Sequence, residues 1–119
     1  MKFLIVDDNE LMRKAIIENV TDKNDQIIEC KNGEAALLNL NDFNPDWILM
    51  DIKMKGMNGL IAAQRIKEID PAKNIAFVTS YDYEAFRAAA KNIGVELYFM
   101  KDNLLLIREK LEEQELPYG

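Results

Sequence analysis

The sequence predicts an α/β fold, a doubly wound (βα)5 three-layer sandwich on a parallel sheet, and two observations carry that prediction. Five short apolar runs recur along the 119 residues and alternate with stretches of helical period, the pattern of successive βα units. Three of those runs, "FLIV", "WILM" and "IAFV", are almost uninterrupted in apolar residues, as strands covered on both faces must be. The length suits one domain, expected over residues 1–114, with 115–119 as a polar tail, either the start of a linker or the chain end.

The strands are expected at 2–6 ("KFLIV"), 26–30 ("QIIEC"), 46–50 ("DWILM"), 74–78 ("NIAFV") and 95–100 ("VELYFM"). Helices are expected near 9–20, 32–41, 59–69, 82–93 and 101–114. Leu11, Ala15 and Ile16 are read as one face of the first helix, and Leu104, Ile107, Arg108 and Leu111 follow a helical period in the last. Asn9, Asn58 and Asp82 offer short acceptor side chains where the first, third and fourth helices begin, and Gly94 suits the left-handed residue that ends the fourth. Pro45 and Pro71 precede strands, where a missing N–H costs little. From "EEQELPYG" onward the chain reads as fraying.

Composition narrows the function. At 49% hydrophobic and 30% charged the chain can build a core, and its net charge of −6 argues against nucleic acid or an anionic membrane as a direct partner. A single cysteine, Cys30, has no partner for a disulfide or a C-x-x-C motif and reads as a small strand residue in a reducing compartment. No signal peptide or transmembrane run is visible, so a cytoplasmic location is expected. The absence of histidine excludes a Ser-His-Asp triad, a histidine metal cluster and a phosphohistidine carried by this chain. If histidine chemistry matters, a partner supplies it.

In a doubly wound sheet the ligand site lies outside the carboxyl ends of the strands. Asp7 and Asp8 follow the first strand, Asp51 the third, Thr79 and Ser80 the fourth, and Lys101 the fifth. Each alone has an ordinary reading: a turn aspartate, a β-forming threonine, a solvated lysine. Together, at one sheet edge, they outweigh those readings. Three converging carboxylates repel one another unless a cation neutralises them, and a hard divalent ion such as magnesium is commonly held by one or two carboxylates plus phosphate oxygens. A lysine ammonium, a threonine hydroxyl and a metal suit a phosphoryl anion, and an aspartate can form an acyl phosphate. By position Asp51 is the central carboxylate. Met50, Met54, Met57 and Met100 are packing residues, since magnesium prefers oxygen.

These residues resemble the response-regulator receiver family, the CheY-like phosphoacceptor domains of two-component phosphorelays, over essentially the whole chain. The resemblance implies a flavodoxin-like sheet of order 2-1-3-4-5. It aligns the family's acidic pair with Asp7 and Asp8, its phosphorylated aspartate with Asp51 in "MDIKMKGMNG", a following glycine with Gly59, its hydroxyl residue with Thr79, its lysine with Lys101 and its aromatic switch with Tyr98. It further implies that Asp8, Asp51 and the backbone carbonyl of Lys53 bind Mg2+ (or Mn2+), with Asp7 acting through a coordinated water. Thr79 and Lys101 would hold the phosphoryl oxygens, and Thr79 would be coupled to Tyr98 and to an output face formed by the fourth helix, fifth strand and fifth helix, the α4-β5-α5 face in family terms. Tyr98 is equally well read as a half-buried strand aromatic.

By the same resemblance Lys53 and Tyr81 tune phosphoryl lifetime, and their bulk predicts slow self-dephosphorylation, over minutes or longer. Two positions depart from the family pattern. Lys55 replaces the usual proline, which is expected to loosen the loop, and Asp102 follows the lysine in place of another proline. The implied partners are a histidine kinase or histidine phosphotransfer protein and a downstream protein or tethered effector, with the domain a monomer or a phosphorylation-linked dimer. The implied role is a signalling switch that catalyses only its own phosphoryl transfer and slow autodephosphorylation. The alternatives are an aspartyl-phosphate phosphatase or phosphotransferase on a small substrate, which would carry a second acid where Lys53 stands, and an unphosphorylated receiver-like scaffold.

Overall fold

Residues alternate in direction along a strand, so a strand buried on both faces must be apolar at every position. β1 (Lys2–Val6) meets that demand from Phe3 onward, β3 (Trp47–Met50) throughout, and β4 (Ile75–Thr79) up to Val78, with the polar Thr79 buried at its end. β2 (Gln26–Cys30) and β5 (Leu97–Met100) are only partly covered. All pairings are parallel, in the order β2-β1-β3-β4-β5, so the covered strands are central and the mixed ones are edges. The computed structural model describes residues 1–115.

The alternation divides the core in two. Leu4, Val6, Ile48, Met50 and Phe77 pack with Ala36, Ala62, Ala63, Ile66 and Ala90 from the helices α2 (Gly33–Leu38), α4 (Gly59–Ile69) and α5 (Glu84–Ile93). Phe3, Ile5, Leu49, Ala76 and Val78 pack on the other face with Ile16 and Val20 of α1 (Glu10–Val20) and Ile107 and Leu111 of α6 (Ile107–Glu115). Small alanines on α4 let that helix lie close to the sheet, which matters for the site.

Several local expectations are corrected. The second helix is broken into α2 and α3 (Leu40–Phe43) at Asn39, whose side-chain amide donates back to the Ala35 carbonyl at 2.8 Å and competes with the helical ladder. The last helix begins at Ile107 after a 3₁₀ turn at Leu104–Leu106 and runs to Glu115, through the first half of the stretch read as fraying. The rest of the proposed tail, 116–119, lies outside the described residues. Leu11 is 77% exposed: five residues separate it from buried Ile16, about 140° around a helix of 3.6 residues per turn.

Asn9 and Asn58 cap α1 and α4 as expected, accepting from the N–H groups of Met12 and Ile61. Asp82 does not cap the fourth helix of the βα series. Tyr83 occupies that position without a side-chain bond, because the Asp82 carboxylate is taken by Arg87 one turn into α5. Gly94 ends α5 at φ 96°, in the left-handed region.

At the opposite end of the sheet Asp25 is buried between Arg108, at 2.5 Å, and the Met1 ammonium, at 2.9 Å. Burial raises its carboxyl pKa, but the Asp22 backbone N–H and these cations outweigh that and hold it below the ordinary aspartate range. Its stabilising contribution is therefore present above that range and is lost as pH falls through the folded-state value. Asp25→Asn should lower the urea midpoint at neutral pH, with the gap to wild type narrowing in acid; a gap that is constant with pH would contradict this.

Candidate functional site

Strand register assembles the site before any side chain is considered. Val6 pairs with Met50, and the Asp51 N–H donates to the Val6 carbonyl at 2.9 Å, so Asp7 and Asp51 leave adjacent central strands side by side. On the other side Thr79 pairs with Met100, and the Lys101 N–H donates to the Thr79 carbonyl at 2.9 Å. Parallel order thus brings residues separated by most of the chain to one edge.

Oxygen atoms of Asp7, Asp8 and Asp51 lie within 4.8 Å of one another. Asp7 and Asp51 are buried and Asp8 is exposed. The Lys101 ammonium reaches both buried acids, at 2.9 Å from Asp7 Oδ2 and 2.9 Å from Asp51 Oδ2. Asp51 Oδ1 accepts from the Ile52 N–H at 2.8 Å, and Asp7 Oδ1 from the Asn9 N–H at 2.9 Å. Asp7 Oδ2 is the one buried side-chain oxygen or nitrogen among the described residues with no directed hydrogen bond.

One ammonium cannot neutralise three carboxylates. Burial pushes the Asp51 carboxyl above the ordinary aspartate range, and the Asp7 charge adds to that push against the Lys101 bond. Burial opposes the charge on Lys101, yet its two acidic partners hold its pKa above the usual lysine range. A cluster of three carboxylates with one ammonium among them fits a hard divalent cation that keeps some of its waters. The residues present therefore suit magnesium.

The neighbouring loops are held by backbone contacts. Gly59 opens α4 against the end of β3, its N–H donating to the Ile52 carbonyl at 2.7 Å, and a Cβ there would sit 2.0 Å from the Asp51 carbonyl oxygen. Only glycine permits that approach. Lys55, where the family's proline is expected, donates its N–H to Asp8 Oδ2 at 3.0 Å, a bond that proline at this position could not make. Arg13 of α1 donates from Nη1 to the Asp7 carbonyl at 2.7 Å and from Nε to Glu29 at 2.9 Å.

Thr79 is fully buried, and its Oγ1 accepts from the Tyr81 N–H at 3.3 Å. The Tyr81 carbonyl accepts from the Tyr98 hydroxyl at 2.5 Å, and its ring lies 4.7 Å from the Lys53 ammonium. Tyr98 is half-buried, with the Arg87 guanidinium stacked 4.4 Å from its ring centroid. Tyr81 therefore touches Thr79, Tyr98 and Lys53. Cys30 ends β2 with its thiol buried and pushed up by burial to about 11, and only its carbonyl meets the cluster, accepting from the Asp7 N–H at 3.0 Å.

Every candidate after the first, third, fourth and fifth strands thus lies at one edge. Sequence reading missed Arg13, Arg87 and the Lys55 amide. An arginine one turn into a helix that follows an acidic turn is a weak signal, and a backbone donor carries none.

A family model described as the response regulator receiver domain matches residues 3–112. The response regulator protein VraR of Staphylococcus saprophyticus is 34% identical over 105 residues, covering 85% of this chain and 49% of that protein. The chain thus spans about half the length of that curated relative. Chemotaxis protein CheY of Halobacterium salinarum is 33% identical, with 82% of each chain covered. Among solved structures, a CheY-like receiver domain protein from Methanospirillum hungatei superposes with a TM-score of 0.82 at 24% identity, covering 96% of this chain and 95% of that one, and so shares the fold. With the sheet order, the acidic corner and these likenesses in agreement, the chain belongs to the response-regulator receiver domain family of two-component signalling.

Proposed function

We propose that Asp51 is the phosphoacceptor of a phosphorylation-dependent switch, charged by a histidine kinase or histidine phosphotransfer protein in the presence of Mg2+. The observation that carries this reading is Lys101 set between buried Asp7 and Asp51, with Asp8 beside them. In the transfer, an Asp51 carboxylate oxygen bonds to phosphorus as the P–N bond to the partner's imidazole breaks, and the electron pair returns to the imidazole nitrogen. These 119 residues hold no histidine, so the donor imidazole lies outside them.

Asp8, Asp51 and the Lys53 carbonyl would hold the ion directly and Asp7 through water. The ion supplies positive charge that offsets the carboxylates and binds phosphoryl oxygens. Lys101 and the Thr79 hydroxyl bind the remaining phosphoryl oxygens. When the Thr79 hydroxyl turns to that group it releases the Tyr81 N–H, and the Tyr81 carbonyl is the acceptor for Tyr98, so the change passes to α5, β5 and α6, the output face. That face engages a downstream protein or tethered effector, with the domain a monomer or a phosphorylation-linked dimer.

The domain acts as a cytoplasmic binding module, without direct nucleic-acid contact, and catalyses only its own phosphorylation and slow hydrolysis. No helix among the described residues is long and apolar enough to cross a membrane. The Lys53–Tyr81 contact beside the acceptor supports a lifetime of minutes or longer, by obstructing water. Intact mass after acetyl phosphate with Mg2+ tests both points. Wild type should gain one phosphoryl group that persists for minutes, and Asp51→Asn should gain none. Equal labelling of the variant, or an unlabelled wild type, would refute the assignment, and loss of label within seconds would refute the slow hydrolysis.

A further inference from the structure

The phosphoacceptor reading leaves one cation beside the acidic corner without a role. Arg13 is only 14% exposed, and its guanidinium spans two acceptors, the Asp7 carbonyl at 2.7 Å and Glu29 Oε1 at 2.9 Å. The Asp7 peptide is also tied through its N–H to the Cys30 carbonyl at 3.0 Å. With both ends of that residue fastened, the direction in which the Asp7 and Asp8 side chains leave the strand is set. A bare guanidinium so close to a cation site would repel the ion, but Glu29 on β2 supplies the opposing charge.

We propose that Arg13 is a positioning residue for the divalent-cation site, holding the Asp7 carbonyl so that the acidic pair faces Asp51, while Glu29 cancels its charge. This rests on the reading that the cluster binds Mg2+. Partners that orient metal ligands from behind commonly contribute about 10–100-fold in affinity. The two effects of the guanidinium have opposite signs. As a mere positive charge it weakens cation binding, so its removal would tighten it; as a brace it aids binding, so its removal loosens it.

The test is titration of the full chain with Mn2+, followed by electron paramagnetic resonance, alongside urea unfolding in EDTA. Arg13→Met and Arg13→Lys should each bind Mn2+ about tenfold more weakly than wild type, since lysine keeps the charge but cannot span both acceptors. Glu29→Gln keeps the brace and frees its charge, and should weaken binding most at low ionic strength. A purely structural role would shift the urea midpoint and leave Mn2+ affinity unchanged, which would overturn the proposal, as would tighter binding by Arg13→Met. Should Arg13→Met not fold, Arg13→Lys and Glu29→Gln decide the matter by the same criteria. Wild type that binds no Mn2+ would sink the cation site and this inference together, whereas binding that is equal in wild type and variants sinks the inference alone.

Discussion

Gly59→Ala should be the most damaging single methyl in this protein. A Cβ at position 59 would lie 2.0 Å from the Asp51 carbonyl oxygen and 2.9 Å from Ile52 Cα, both backbone atoms of the strand end. Neither can swing aside as a side-chain tip would. Relief requires α4 to move off the sheet, which breaks the 2.7 Å bond from the Gly59 N–H to the Ile52 carbonyl and drags the residue that follows β3. Overpacking of this kind costs about 3 kcal/mol or more where the backbone cannot yield. Urea unfolding should register that loss, and phosphoryl uptake should fall with it.

Gly56→Ala provides the control. A methyl there meets nothing within 4 Å, and only its φ of +80° opposes it, a penalty of about 1–2 kcal/mol for an L-residue in the left-handed region. If Gly59→Ala costs no more than Gly56→Ala, the close approach of α4 to Asp51 is not what holds this corner.

Lys101→Met should be the most damaging loss of charge. Removing the ammonium leaves buried Asp7 and Asp51 facing one another with their one ionic partner among the described residues gone. Breaking a buried ion pair from one side typically costs about 3–5 kcal/mol, because the surviving charge remains desolvated. In EDTA at neutral pH the variant should unfold at distinctly lower urea. The deficit should shrink as pH falls and Asp51 takes up a proton, since burial already displaces its carboxyl upward. Mg2+ should restore more stability to the variant than it adds to wild type, as it then becomes the sole counter-charge. Phosphoryl uptake should remain low even so, for lack of the cation that binds the incoming group. A variant as stable as wild type in EDTA would show that Lys101 does not compensate these acids.

The sheet was legible in the chain because burial on both faces leaves an unbroken apolar record, and "FLIV", "WILM" and "IAFV" became the three central strands. The polar residue after each run was legible for a related reason: in a parallel sheet all carboxyl ends share one edge, so Asp7, Asp51, Thr79 and Lys101 had to converge. Helix limits were less legible. Leu11 and Asp82 each satisfied a local rule and Asn39 lay inside the helix expected over 32–41, yet solvent exposure, an ion pair to Arg87 and a back-bonded amide decided where they went.

What the sequence determined by itself was the class of fold, the members of the acidic cluster and its excess of negative charge, since these follow from hydrophobic pattern and composition. Only the tertiary structure decided how the pair after β1 divides, with Asp7 buried against Lys101 and Asp8 exposed and bound by the Lys55 N–H. It also decided that Arg13 braces the Asp7 carbonyl and that Tyr81 touches Thr79, Tyr98 and Lys53 at once. Backbone amides and carbonyls take part in all but two of those contacts, the Lys101–Asp7 ion pair and the Lys53–Tyr81 stacking. Nearly every residue carries them whatever its side chain, so their use is set by packing and register and leaves no mark in the order of amino acids.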